Sequence, residues 1–201
     1  MNAPDVASKN EDEDKDKTCA HIISLRSHPL IRLSSRGLQD PVGPGLPAPV
    51  KPKQMAQDQR SRLLDAATSF CQAFATQAPP DKILLNHFSS TESISVLEHG
   101  LPQLAPFLGR EFTGADGVRK YFALIAGCLA YRDMRFSNYV VDPVTNKVSV
   151  RGQARFTWTA TGQGWDEVFT YVLAFDHDFK VTSYEIWADS GAAYLASKGQ
   201  L

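Results

Sequence analysis

Aromatic side chains are missing from the first 69 residues of the 201-residue chain: all 11 Phe, 6 Tyr and 3 Trp lie at Phe70 or beyond. A stretch without them buries too little apolar surface to offset the entropy of ordering it. Residues 1–54 also hold seven of the 12 prolines. They are expected to form a disordered, proline-rich tail, and residues 55–201 a single domain of ordinary size. Long apolar runs are missing too. A bilayer span needs roughly 18 consecutive apolar residues, and the longest helix-like apolar run, Tyr121 to Tyr131, falls well short, so no membrane partner is expected. The three cysteines, Cys19, Cys71 and Cys128, are widely separated, without the paired spacing of a zinc or redox site. Their odd number, in a chain with no secretory signal, fits a reducing compartment, and the expected location is cytoplasmic. Cys71 and Cys128 fall in apolar helical patterns and read as core residues. Charge of neither sign dominates: Lys and Arg number 21, Asp and Glu 22, for a net −1. That leaves no electrostatic footprint for nucleic acid.

Within the tail, residues 18–39 lack any acid and carry Arg26, Arg32 and Arg36. Such a stretch looks like a mitochondrial presequence, but the acidic block Glu11 to Asp14 ahead of it argues against import. Residues 40–52, with five prolines and two glycines, read as a stiff linker. Met55 directly precedes the first amphipathic helix, which suggests that the working protein begins there.

The chain beyond Met55 is strongly patterned. From Gln57 to Thr76, Leu63, Ala67, Phe70 and Phe74 recur at helical spacing, and Pro79-Pro80 ends the helix. A second helix is expected over Asp81 to Phe88, a short strand over Ile94 to His99, and a third helix opening at a Thr113 cap, with Asp116 in its first turn. Its apolar face runs from Val118 to Leu129, and tight packing is the expected reason for Gly127 within it. From Asp133 the period becomes two. Strands are expected at about Met134–Val141, Lys147–Thr161, Trp165–Asp176 and Lys180–Ala188, joined by short hairpin turns. In the third of these long strands Trp165, Glu167, Phe169, Tyr171, Leu173 and Phe175 share one face. The other, with Val168, Val172 and Ala174, is also fairly apolar. A strand apolar on both sides is covered on both. One cover is the helices, and the other is most simply a second subunit, giving a homodimer.

Helices followed by an antiparallel sheet make an α+β protein. The order helix, helix, strand, helix, four long strands resembles that of the nuclear-transport-factor-2-like (NTF2-like) superfamily, and within it the SnoaL-like branch. Three passages carry the resemblance: Pro106 to Val118 at the entry to the third helix, Trp165 to Phe175 leading into Lys180-Val181, and Tyr184-Glu185-Ile186-Trp187-Ala188-Asp189 at the end of the last strand. It covers residues 60 to 197. The resemblance implies a cone: three N-terminal helices packed on a strongly curved antiparallel sheet, with an apolar pocket at the open end. Enzymes of this kind work without metal or organic cofactor. A carboxylate or histidine moves a proton on a carbonyl compound while hydrogen-bond donors hold the developing oxyanion.

Asp189 stands where SnoaL-like cyclases place an aspartate, and is the first candidate acid/base. The same residue suits a helix N-cap for Ser190 to Ser197. Glu185 and Trp187 share its strand face by alternation. Glu185 then either meets Arg155 or Arg151 across the sheet or lines the pocket. His99 titrates near neutrality and, with Glu98, ends the first strand at what is a pocket rim in relatives. A lone histidine there is equally at home on a surface or in a core. His87 is a weaker candidate on the second helix. Tyr121, Tyr131 and Tyr139 offer phenolic donors or simply core packing. Phe156, Trp158, Phe169, Tyr171 and Trp187 complete the expected pocket walls. Asp166-Glu167 reads as part of a solvated turn. Three functions remain open: an isomerase, dehydratase or cyclase acting on a small hydrophobic carbonyl compound, a non-catalytic binder of a small hydrophobic ligand, and a protein-interaction module.

Overall fold

A computed structural model describes residues 52–201. The expected tail lies outside the described residues except for Pro52, Lys53 and Gln54, which belong to the first helix. The elements run α1 (Pro52–Ala75), α2 (Pro80–His87), β1 (Ser95–His99), β2 (Glu111–Thr113), α3 (Gly114–Cys128), β3 (Leu129–Asp142), β4 (Lys147–Trp158), β5 (Gly164–Phe175), β6 (Val181–Trp187) and α4 (Ser190–Ser197). The class is α+β, as the pattern predicts. The strands form one six-stranded sheet in the order β2-β1-β6-β5-β4-β3. Among the described residues no helix is long and apolar enough to cross a membrane.

Periodicity explains most of the core. On α1, Leu63, Ala67, Phe70 and Cys71 are buried at helical spacing. On β5 the six residues of the Trp165–Phe175 face are all buried. Phe169 sits opposite Gly152 of β4. A Cβ at Gly152 would stand 2.1 Å from the Phe169 ring, so the ring takes the space that any side chain there would need. Burial pushes the Cys71 thiol up to about 12, which leaves it protonated and inert. Cys128, expected in the core, is only half-buried at the end of α3.

The departures from expectation have local causes. Strand β2 escapes the sequence pattern, because three residues carry no period. The sheet is not wholly antiparallel: β1 pairs in parallel with β6, Val96 opposite Tyr184 and Glu98 opposite Ile186. Hairpin reasoning sees only neighbours in sequence, and this pair is far apart along the chain. The expected order helix, helix, strand, helix is kept, with the short β2 added just before α3. Leu129 leaves α3 in extended backbone and opens β3, five residues before the expected start at Met134. Register shifts between Arg132 and Arg135, and between Ser137 and Val140, interrupt that strand. Asp133 and Asn138 adopt φ of 56° there. Such bulges bend a strand and break its alternation, which hides it from a period-two reading. Thr113 occupies the N-cap of α3, but its side chain makes no capping hydrogen bond. A Cβ at Gly127 would meet nothing within 4 Å, so packing does not explain that glycine.

Candidate functional site

Strand parity decides which side chains reach the interior. On β1, Val96 and Glu98 are buried, and Leu97 and His99 are only half-buried. On β6, Tyr184 and Ile186 turn inward. With β5, α3, the start of α4 and the Phe107-Leu108 segment, Glu98, Tyr184 and Ile186 line a cavity of about 330 Å³. Its walls are mainly aromatic and aliphatic, as in small-molecule sites.

Glu98 is 7% exposed, and the Tyr121 hydroxyl donates to its Oε2 at 2.6 Å. Burial raises the Glu98 carboxyl from 4.5 to about 7; the Tyr121 hydrogen bond opposes the rise, and the nearby charge of Glu167 adds to it. Oε1 accepts no hydrogen bond from any described residue. A second carboxyl, Glu167, is equally buried. Trp165 Nε1 donates to its Oε2 and the Asp189 backbone N–H to its Oε1, both at 2.6 Å. Burial raises Glu167 too, and those two bonds oppose the rise. The expected solvated turn holds for Asp166, which reaches Arg155 at 3.1 Å, but not for Glu167. The signal is present in the sequence, since alternation along β5 groups Glu167 with Trp165, Phe169 and Tyr171.

Of the three residues expected to be catalytic, only Asp189 lines the cavity. It is exposed, and its Oδ1 accepts from Ala192 N at 3.0 Å, capping α4. The N-cap expected from sequence is thus formed, at the place where the cavity meets solvent. Glu185 and His99 lie on the opposite face of the sheet. His99 Nε2 and Glu185 Oε2 stand 2.9 Å apart, and the His99 ring stacks on Trp187 with centroids 4.0 Å apart. Glu185 therefore meets His99 and neither Arg155 nor Arg151. Alternation does not join Asp189 to Glu185, because β6 ends at Trp187 and parity lapses beyond it.

Of the expected walls, Glu98, Tyr121, Phe156, Phe169 and Tyr171 line the cavity, whereas Trp158 is buried elsewhere in the core and Trp187 is 43% exposed on the outer face. Tyr131 also lines it, with its hydroxyl donating to Phe74 O at 3.0 Å. Tyr139 packs outside the cavity near Cys71. His87 borders a separate polar cleft with Asn86, Asp178 and Lys180, and burial lowers its pKa. Among the described residues no three His, Cys, Asp or Glu side chains gather as a metal site. The arrangement can give and take a proton at Glu98 within apolar walls, beside the Tyr121 phenol.

No protein-family profile matches the chain, and no curated protein does. Solved structures do. An NTF2-like protein of unknown function from Burkholderia pseudomallei superposes with a TM-score of 0.57 at 14% identity, over 67% of this chain and 96% of that one. A proposed SnoaL-like polyketide cyclase from Jannaschia sp. CCS1 gives 0.54 at 13% identity, over 68% and 92%. BvnE pinacolase from Penicillium brevicompactum gives 0.54 at 16% identity, over 71% and 96%. The chain thus has the NTF2-like fold, in the form that SnoaL-like proteins share.

Proposed function

We propose that the protein is a cofactor-independent acid/base enzyme of the isomerase, dehydratase or cyclase type, acting on a small hydrophobic carbonyl compound, with Glu98 as the group that moves the proton. One observation carries this reading: a carboxyl that burial raises to about 7 faces an apolar cavity with one oxygen free of donors among the described residues. An acid or base is most effective when its pKa lies near the working pH. The neutral form of Glu98 can protonate a substrate oxygen, and the carboxylate can remove a proton from carbon next to a carbonyl. The Tyr121 hydroxyl donates to Glu98 and favours its carboxylate form. Structural relatives named as a proposed polyketide cyclase and as a pinacolase support an enzyme of this kind.

Hydrogen exchange tests this. The full chain is incubated with cyclic ketones such as 1-indanone and 2-tetralone in D2O, and loss of the α-proton signal is followed by NMR. The unaltered protein should accelerate exchange, and Glu98→Gln should slow it by about 100-fold or more, the usual contribution of a positioned acid or base. Equal rates from the two proteins would remove Glu98 from the mechanism. Val168, 55% exposed, and Trp187, 43% exposed, on the outer sheet face support the homodimer. A monomer by light scattering at micromolar concentration would overturn that part.

A further inference from the structure

Apart from the phenols, the ionisable side chains of the cavity are all carboxyls. Glu98 and Glu167 are each 7% exposed, and Asp189 stands at the opening. Among the described residues no Lys, Arg or His lines the cavity. A carboxylate buried without a counter-ion is costly, and natural sites normally pair it. Glu167 has two neutral donors. Among the described residues Glu98 has one, on Oε2, and none on Oε1. The remaining wall is rich in rings, including Phe122, Phe156, Trp165, Phe169 and Tyr171. The face of an aromatic ring carries the negative lobe of its quadrupole and attracts cations. Once ionised, the carboxyls join the rings in giving the space a negative potential, and among the described residues no basic side chain in the wall balances it.

We propose that this cavity selects its ligand by charge: it takes a hydrophobic organic cation, or a neutral compound that becomes positive on protonation, and rejects anions such as carboxylates and phosphate esters. The inference rests on the reading of this cavity as the functional site, and not on which proton moves there. When neutral Glu98 passes its proton to a substrate oxygen, the substrate becomes a cation and Glu98 a carboxylate. The new cation then faces Glu98, Glu167 and the rings. When the Glu98 carboxylate instead takes an α-proton, Glu98 becomes neutral, and the Tyr121 hydroxyl stands beside it as a donor.

Three probes of matched size test the selectivity on the full chain: phenyltrimethylammonium, its neutral isostere tert-butylbenzene, and benzenesulfonate. Binding is read from the fluorescence of the cavity-lining Trp165 and confirmed by displacement in NMR. The cation should bind at least tenfold more tightly than the isostere, and the sulfonate should not bind at millimolar concentration. Glu167→Gln should narrow the gap between cation and isostere. The comparison on the unaltered chain decides the matter even if that variant folds poorly. Equal or tighter binding of the isostere, binding of the sulfonate, or no binding of the cation would each overturn the selectivity. Ketone exchange that still depends on Glu98 would then show that the functional reading survives without it.

Discussion

Replacing Glu98 with Gln separates what burial costs this carboxyl from what the carboxyl does in the cavity. In the folded chain the group titrates near 7, against an ordinary value of 4.5. Above 4.5 an unfolded chain has lost this proton, while the folded chain keeps it until about 7. The stability contributed by neutral Glu98 is therefore complete below 4.5 and is lost as the pH rises through about 7. Each pH unit between the two values is worth about 1.4 kcal/mol, so the loss comes to about 3 kcal/mol. Gln does not titrate and escapes it. Urea unfolding of both proteins from pH 4.5 to pH 8 should show Glu98→Gln gaining about 3 kcal/mol relative to the unaltered chain across that range. In thermal melts of a domain this size the gain is about 6–12 °C. The changed partner of Tyr121 adds an offset that is the same at every pH and leaves the slope untouched. A difference between the two proteins that stays flat with pH would refute the reasoning, because the carboxyl would then not be held neutral by burial.

Substitutions at three further positions probe the site and its support. Tyr121→Phe removes the hydrogen bond that restrains the rise at Glu98, so the midpoint of any Glu98-dependent rate should move to higher pH; an unmoved midpoint in the pH profile would contradict the contact. Gly152→Ala places a methyl group against the Phe169 ring and should cost about 1–3 kcal/mol in urea unfolding while narrowing the cavity. No change in the unfolding midpoint would mean that the ring has room to move. Asp189→Ala should lose about 1 kcal/mol with the α4 cap, and Asp189→Asn should keep it. If ketone exchange falls in Asp189→Asn while stability holds, Asp189 has a part in the chemistry beyond its cap.

Legibility in the sequence tracks how local the deciding interaction is. The buried face of β5 follows from alternation alone, because its pairing with β4 keeps one register from Gly164 to Ala174. The cap at Asp189 is likewise legible, since an N-cap bonds within three residues. The site is less so. Alternation sets Glu167 on the cavity face, but its position beside a hairpin turn suggests solvent. His99 and Glu185 carry suitable chemistry, yet parity turns them to the other face. Glu98, the neighbour of His99, is the one that points inward.

Composition and periodicity by themselves determined the class of this protein. They marked where aromatics begin, which faces of α1 and β5 are buried, and the order of elements that resembles the NTF2-like fold. These depend on side chains a few residues apart, and the chain spells them out. Only the tertiary structure decided the site. Glu98 meets Tyr121 across 23 positions and Glu167 meets the Asp189 backbone across 22. The parallel pairing of β1 with β6 sets Glu98 beside the cavity. A carboxyl moves toward neutrality only when distant segments close around it and exclude water, and no local pattern records which segments those are.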